Sequence, residues 1–451
     1  MGEDSRPPRD GLELLQQLEL ILERDILIDE IGFVHPSQFT SLNEDLGVSL
    51  PQSTNMIQFP DGIKDPDISE FGIIQYDKTA FWNYNHKLAI STKVLPQLYS
   101  GALHAYNDVT RNYKGSINLS LNLDAPDDTT APANSFHLLE NELLKHTRAL
   151  LILSCDFSSA WNSRKLVLSR KYKLSLFMDE LQLSTLVLSY SPKSEYAWSH
   201  RRWVIKKVAE NFQKLQEIVE EESELVKKIG ERSKMNYRAW NHRCWLTFYM
   251  TRVQVLDELN KSRKWAELHV ADNCCFHYRR VHFSRLMLRL LEDISLKQDV
   301  EDSLDHKSEV AFVWVEELKW NEMLIKRYVG REALWVHRRF LSQCWIKHFA
   351  TDQEALARGS EDHFHINTAL DFFLSRELQL LLACLDVSAD GFEDPQIQAQ
   401  HAVSYILWMS KHIPMLEKCR LQERLREVGD LKVIFERTSL ERSLLWESLL
   451  N

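Results

Sequence analysis

Glycine and proline are scarce in this chain, 13 and 12 among 451 residues, so few positions would force a long helix to break. The seven cysteines, at 155, 244, 274, 275, 344, 384 and 419, form no CxxC pair and are odd in number. That argues against a disulfide framework and against a zinc knuckle, and leaves reduced thiols of a cytoplasmic protein. No apolar run approaches the ~18 residues needed for a bilayer span. The opening MGEDSRPPRD has no secretory apolar stretch, Arg6 stands where a myristoylation signal carries Ser or Thr, and the closing LLN offers no cysteine for prenylation. Also missing are GxxxxGK, GxGxxG, HExxH and GxSxG, so the chain has no self-contained catalytic motif. Basic charge is short as well. Lys and Arg total 55 against 65 Asp and Glu, a net charge of −10, which argues against a general nucleic-acid binder and favours a protein partner.

What is present reads as globular, with 44% hydrophobic and 27% charged residues. Residues 1–135 form an N-terminal region with one or two helices and long loops. In it GLELLQQLELILERD (11–25) is an amphipathic helix, and a stretch spotted with Pro, Gly, Asn and Asp to about residue 80 reads as loops with short extended pieces. Helical periodicity returns over 87–113, interrupted by Pro96, and 115–135 reads as a mobile polar loop bulging from the surface. From Phe136 to about residue 350 nearly everything reads as helix with short joints, and 351–451 as a helical capping region.

The decisive pattern in the middle segment is a repeat. Trp161, Trp198, Trp240, Phe276 and Trp335 each precede an arginine by three residues: Arg164, Arg201, Arg243, Arg279 and Arg338. The five aromatic anchors are 37, 42, 36 and 59 residues apart, and the longest gap holds the polar insertion LEDISLKQDVEDSLDHKSEV. Two helices plus turns fit this period, so the fold class is all-α, a solenoid of stacked helical hairpins. Ser158, Ser194, Asn236 and Asn273 stand just before their anchors as candidate N-caps.

Residues three apart on a helix share a face. The Trp can therefore fill the gap between hairpins, while the Arg stacks on a ring and turns its donors on carbonyls or carboxylates at the joint. A packing solution is needed at every repeat, whereas a catalytic group is needed once. His200, His242 and His337 lie between Trp and Arg; spread over separate helical layers they are too far apart for one metal, and hydrogen bonding within each joint is the simpler role. The pair His363 and His365 has no cysteine nearby, so no metal site is assigned.

The turn followed by AW-x-HR-x-W resembles the repeats of the protein prenyltransferase alpha-subunit family, over about residues 140–345. IDEIGF, CDFSSAWNSRK and KWAELHVADNCCFHYRR resemble its divergent subgroup of alpha-subunit repeat-containing proteins. The resemblance implies a right-handed superhelix wrapping a separate beta subunit, which holds the zinc and the lipid pocket; this chain then binds no cofactor itself. It implies transfer of an isoprenoid from its diphosphate to a cysteine of a protein substrate, geranylgeranyl rather than farnesyl, with a beta subunit of the Rab geranylgeranyltransferase type. Such a chain is inactive alone. It further implies that Lys193, in SPKSEYAW, faces the diphosphate as the catalytic cation, and that Asn236, Tyr237 and Arg238, in MNYRAW, contact the diphosphate or the beta subunit. The family's Asn and Tyr after the lysine are replaced here by Ser194 and Glu195, and a frequent His by Arg238. A non-catalytic helical scaffold that binds a beta subunit or another protein is the alternative.

Overall fold

Leu14, Leu15, Leu18, Ile21 and Leu22 recur at the spacing of one helix face, and all are buried on helix α1 (Arg9–Arg24). The computed structural model describes residues 9–39, 41, 79–122, 131–296, 300–347, 363–385, 393–413, 419 and 421–425. It divides into two compact units, Met1–His242 and Arg243–Asn451. The fold is an all-α helical repeat, and the described residues also form one small sheet.

That sheet belongs to the first unit. Strands β1 (Glu30–Val34), β2 (Phe81–Tyr84) and β3 (Lys87–Ser91) lie in the order β1-β3-β2. β1 runs parallel to β3 with Glu30 opposite Lys87, and β2 runs antiparallel to it with Phe81 opposite Ile90. Asn85 and His86, at φ 46° and 61°, close the two-residue hairpin, as a turn matched to strand twist requires. Residues 87–91 are thus strand, which corrects the helical reading from residue 87. Five residues are too few to separate a period of 2 from one of 3.6, and the partner strand β1 lies far away in sequence.

Helix α2 (Leu95–Asn122) begins with Pro96 in its first turn, where a missing N–H costs nothing, so the proline starts the helix instead of interrupting it. Leu98, Ala102, Tyr106, Val109 and Tyr113 form its buried stripe. It pairs with α3 (Ala131–Leu153), so the expected loop at 115–135 is helix at both ends. Backbone hydrogen bonds carry α2 past the buried Tyr113 into a sequence whose Asn and Ser are weak helix formers but not breakers. α1 crosses α2 at two glycines: a Cβ on Gly11 would sit 2.7 Å from the Gln97 carbonyl oxygen, so side chains there would force the helices apart.

The remaining helices of the first unit are α4 (Ser158–Lys171), α5 (Leu174–Tyr190), α6 (Glu195–Asn211) and α7 (Leu215–Arg232). They are followed by α8 (Tyr237–Leu246), which crosses the division between the units. Strand β1 docks on the end of α5. There the Ile31 amide donates to Ser189 Oγ at 3.3 Å, and Phe33 meets Tyr190 edge-on at 5.3 Å.

The second unit continues with α9 (Arg252–Leu268), α10 (Asn273–Leu296), α11 (Val300–Arg327), α12 (Glu332–Trp345), α13 (His363–Leu385) and α14 (Glu393–His412). The polar insertion lengthens α10 and α11 to 24 and 28 residues. The side chains of His363 and His365 lie outside the described residues. Among the described residues, no helix is long and apolar enough to cross a membrane.

Candidate functional site

The five anchor rings are buried: Trp198, Trp240 and Phe276 are 0% exposed, and Trp161 and Trp335 are 2%. Indole N–H groups reach back into the preceding turns. Trp161 Nε1 donates to the Cys155 carbonyl at 2.8 Å, and Trp198 Nε1 to the Pro192 carbonyl at 3.0 Å. Each anchor arginine is buried against a glutamate of the second helix of its own hairpin. The pairs are Arg164 with Glu180 at 2.9 Å, Arg201 with Glu222 at 2.6 Å, Arg243 with Glu258 at 2.6 Å, Arg279 with Glu317 at 2.7 Å and Arg338 with Glu377 at 2.6 Å. A further guanidinium nitrogen donates to a carbonyl 20 residues back, on the preceding hairpin: Arg201 to Leu181 at 2.6 Å, Arg279 to Leu259 at 2.6 Å and Arg338 to Leu318 at 2.8 Å. Arg164 treats α3 in the same way, reaching Leu144 at 2.5 Å and Thr147 Oγ1 at 2.9 Å. The hairpin α2/α3 therefore serves as a repeat although it lacks the Trp-x-x-Arg signature.

The glutamates also receive a donor from the next repeat. His200 Nε2 lies 2.8 Å from Glu180, His242 Nε2 2.8 Å from Glu222 and His337 Nε2 3.0 Å from Glu317. Where the histidine is absent a tyrosine hydroxyl replaces it, Tyr278 donating to Glu258 at 2.7 Å and Tyr405 to Glu377 at 2.7 Å. Tyr405 lies on α14, so the tail after residue 350 continues the ladder without a Trp-x-x-Arg of its own. Rings pack at a tilt in the same register, with Trp161 on His200 at 4.6 Å and Trp198 on His242 at 4.8 Å.

Burial alone would push these carboxyls up, but the arginine and histidine donors outweigh it and hold Glu180 and Glu222 at about 2. Burial pushes His200, His242 and His337 below the ordinary imidazole value, against the pull of their glutamates. The Nδ1 atoms of His200 and His337 are buried without a partner, which fits neutral rings that carry their proton on Nε2. In the unfolded chain these histidines take up a proton near pH ~6.5, while in the fold they do so only at lower pH, so the folded state binds fewer protons in between. Stability is therefore complete above about pH 6.5 and falls as pH drops below it, whereas the glutamate contributions fade only from about 4.5 towards about 2. The thermal midpoint is expected to hold level above neutrality and to fall by a few degrees between about pH 6.5 and 5, with a shallower fall in a His200→Gln, His337→Gln double variant. A flat profile in the wild type would contradict this.

The clamps fix the turns ahead of the anchors. Ser194 Oγ accepts from the Ala197 amide and donates to Asp156 at 3.1 Å. Asn236 Oδ1 caps Ala239 at 3.1 Å, and its Nδ2 donates to the Pro192 carbonyl at 2.8 Å, joining two successive turns. Two expected caps are corrected. α4 starts at Ser158 itself after Phe157, with no side-chain cap, and at α10 the cap is Asp272, which accepts from the Cys274 and Cys275 amides at 2.8 and 3.3 Å. The capping position lies four residues before the anchor, and Ser158 and Asn273 lie three before it. On the outer side of these turns Lys193 is exposed, as are Tyr196, Met235, Tyr237 and Arg238. Glu195 pairs with Arg202 at 2.9 Å and with Arg238. The cysteines Cys244, Cys275 and Cys344 sit elsewhere in the core, where burial pushes their thiols to about 12.

A family profile described as protein prenyltransferase alpha subunit repeat matches residues 177–208 and 219–250. These are the hairpin segments that carry the two joined turns. The protein prenyltransferase alpha subunit repeat-containing protein 1-B of Xenopus laevis is 28% identical over 337 residues, covering 65% of this chain and 75% of that one. This chain is similar to the protein prenyltransferase alpha-subunit repeat proteins. The repeat-containing protein 1 of Homo sapiens is 29% identical over 261 residues, 50% of this chain and 64% of its own length. More distantly, a 105-residue stretch is 30% identical to the geranylgeranyl transferase type-2 subunit alpha of Saccharomyces cerevisiae, covering 23% of this chain and 31% of that one. The acids that complete each clamp, Glu180, Glu222, Glu258, Glu317 and Glu377, are the site residues that the sequence motifs do not reveal. Four of them stand 20 residues before the His or Tyr they bind, a spacing as regular as that of the anchors.

Proposed function

We propose that this chain is the alpha-type subunit of a heterodimeric protein prenyltransferase, cytoplasmic and inactive alone. With a beta subunit of the Rab geranylgeranyltransferase type it supports transfer of a geranylgeranyl group from its diphosphate to the cysteine thiolate of a protein substrate. The observation that carries this reading is the pair of joined turns: Asn236 holds the Pro192 carbonyl at 2.8 Å, and Lys193, which follows Pro192, is exposed, as are Tyr237 and Arg238, which follow Asn236. As the C–O bond to the diphosphate breaks, negative charge grows on the leaving group, and cations already fixed in place lower the barrier without rearranging. The buried clamps do that fixing. Zinc on the beta subunit supplies activation of the thiol, and the contribution of this chain is Lys193 and Arg238 at the diphosphate. Likeness to a type-2 geranylgeranyl transferase alpha subunit supports geranylgeranyl over farnesyl.

Co-expression with prenyltransferase beta subunits tests this. The expected result is a stable heterodimer that transfers geranylgeranyl to a protein with a C-terminal cysteine, and in which Lys193→Ala lowers kcat about ten- to a hundredfold without loosening the complex. Failure to bind any beta subunit would falsify the proposal. The scaffold alternative draws on one observation, that Glu195 already engages Arg202 and Arg238; a tight complex that never transfers lipid would decide for it.

A further inference from the structure

Glu195 replaces a neutral residue of the family pattern with an acid beside a site proposed to hold an anion, and the structure shows where that acid goes. Arg202 Nη2, from later on α6, donates to Oε1 at 2.9 Å, and Arg238 Nη1, from α8, donates to Oε2. Two guanidinium groups from successive repeats, one on each oxygen, form the arrangement by which arginines hold an oxyanion from outside. The N-termini of α6 and α8 open onto the same turns and add their positive ends to it. The cluster is open to solvent: the side chains of Arg202, Glu195 and Arg238 are 22%, 53% and 43% exposed. It holds two cations and one acid, with the exposed Lys193 two residues before Glu195 in the chain.

We infer that Glu195 is a built-in competitor for the diphosphate, occupying the arginine pair until an anion of greater charge displaces it. The inference rests on the proposed function for the identity of the ligand, not for the geometry. Displacing Glu195 costs little, because a half-exposed carboxylate is rehydrated as it swings out. The gain depends on what replaces it. A singly charged carboxylate only exchanges like for like, whereas a diphosphate brings more charge and enough oxygens to engage both arginines at once. Glu195 thereby sets a threshold: diphosphates enter, while carboxylates and single phosphates are turned away.

The test uses the full chain without a beta subunit, titrated with inorganic pyrophosphate and inorganic phosphate by calorimetry. The wild type is expected to bind pyrophosphate at least about tenfold more tightly than phosphate, and Glu195→Gln to strengthen phosphate binding about tenfold while strengthening pyrophosphate less, so that selectivity collapses. Adding Arg202→Ala to Glu195→Gln removes the gain. Glu217→Gln, an exposed acid on α7, changes neither affinity. Unchanged phosphate affinity in Glu195→Gln overturns the inference. So does weaker pyrophosphate binding, which would make Glu195 a positioning residue for Arg238, or a wild type that binds no pyrophosphate. A heterodimer that transfers lipid while Glu195→Gln leaves selectivity intact sinks this inference alone. Selectivity that collapses as expected in a chain that binds no beta subunit sinks the enzyme reading and leaves the anion site standing.

Discussion

Glu317→Ala is expected to destabilise the fold by about 3–5 kcal/mol, while Glu316→Ala, one residue away, costs under about 0.5 kcal/mol. Glu317 is fully buried and accepts from Arg279 at both oxygens, from Arg263 at 3.1 Å and from His337 at 3.0 Å. Removing it strands a guanidinium that is itself 0% exposed, and an uncompensated buried charge costs far more than the net worth of the intact pair. Glu316 lies on the same helix, but its side chain is 41% exposed and it pairs only with Lys319. Its interaction is largely screened by water. Chemical denaturation of the two variants checks this, and equal midpoints would mean that the clamp is not what ties this joint.

Trp198→Ala is expected to cost a similar amount, about 3–5 kcal/mol, because a fully buried ring leaves a cavity that its neighbours cannot close. The loss is also local in a useful way. Without the indole the Pro192 carbonyl loses its 3.0 Å indole donor and the His242 ring loses its tilted ring contact at 4.8 Å, so the turn bearing Lys193 loosens. Trp198→Phe keeps most of the ring packing and gives up the N–H bond, for about 1–2 kcal/mol. Hydrogen exchange at the Ala197 amide should quicken in the alanine variant and much less in the phenylalanine one. If exchange at that turn does not change, Trp198 does not hold it.

The helical hairpins are legible in the sequence because tryptophan is rare enough for its recurrence with an arginine three residues on to stand out. The acids on the other side of each clamp are not. Glu180, Glu222 and Glu258 lie among 65 acidic residues, and nothing local separates them from solvated ones. Only their distance to a residue on another helix marks them, and Tyr278 and Tyr405 hide even that by replacing histidine. The sheet escapes for a related reason: β1 and β3 pair across more than fifty residues, and each is only five residues long. At the turn, Lys193 and Asn236 can be picked out from their motif. The capture of Arg238 by Glu195 needs the contact between two repeats, which no single motif contains.

The shared acids also give the array a direction during synthesis. Each glutamate is complete only when a donor further along the chain has been made, 20 residues on for Glu180, Glu222, Glu258 and Glu317, and 28 for Glu377. At the other end Arg164 rests on the Leu144 carbonyl and Thr147, while the buried Glu140 of α3 waits in the same way for Lys171 on α4, at 3.2 Å. A nascent chain therefore carries this debt from α3 onward. Nor can it stop cleanly at a later hairpin among the described residues, since each leaves the ribosome with a buried carboxylate still short of a hydrogen-bond donor, up to the one that Tyr405 supplies.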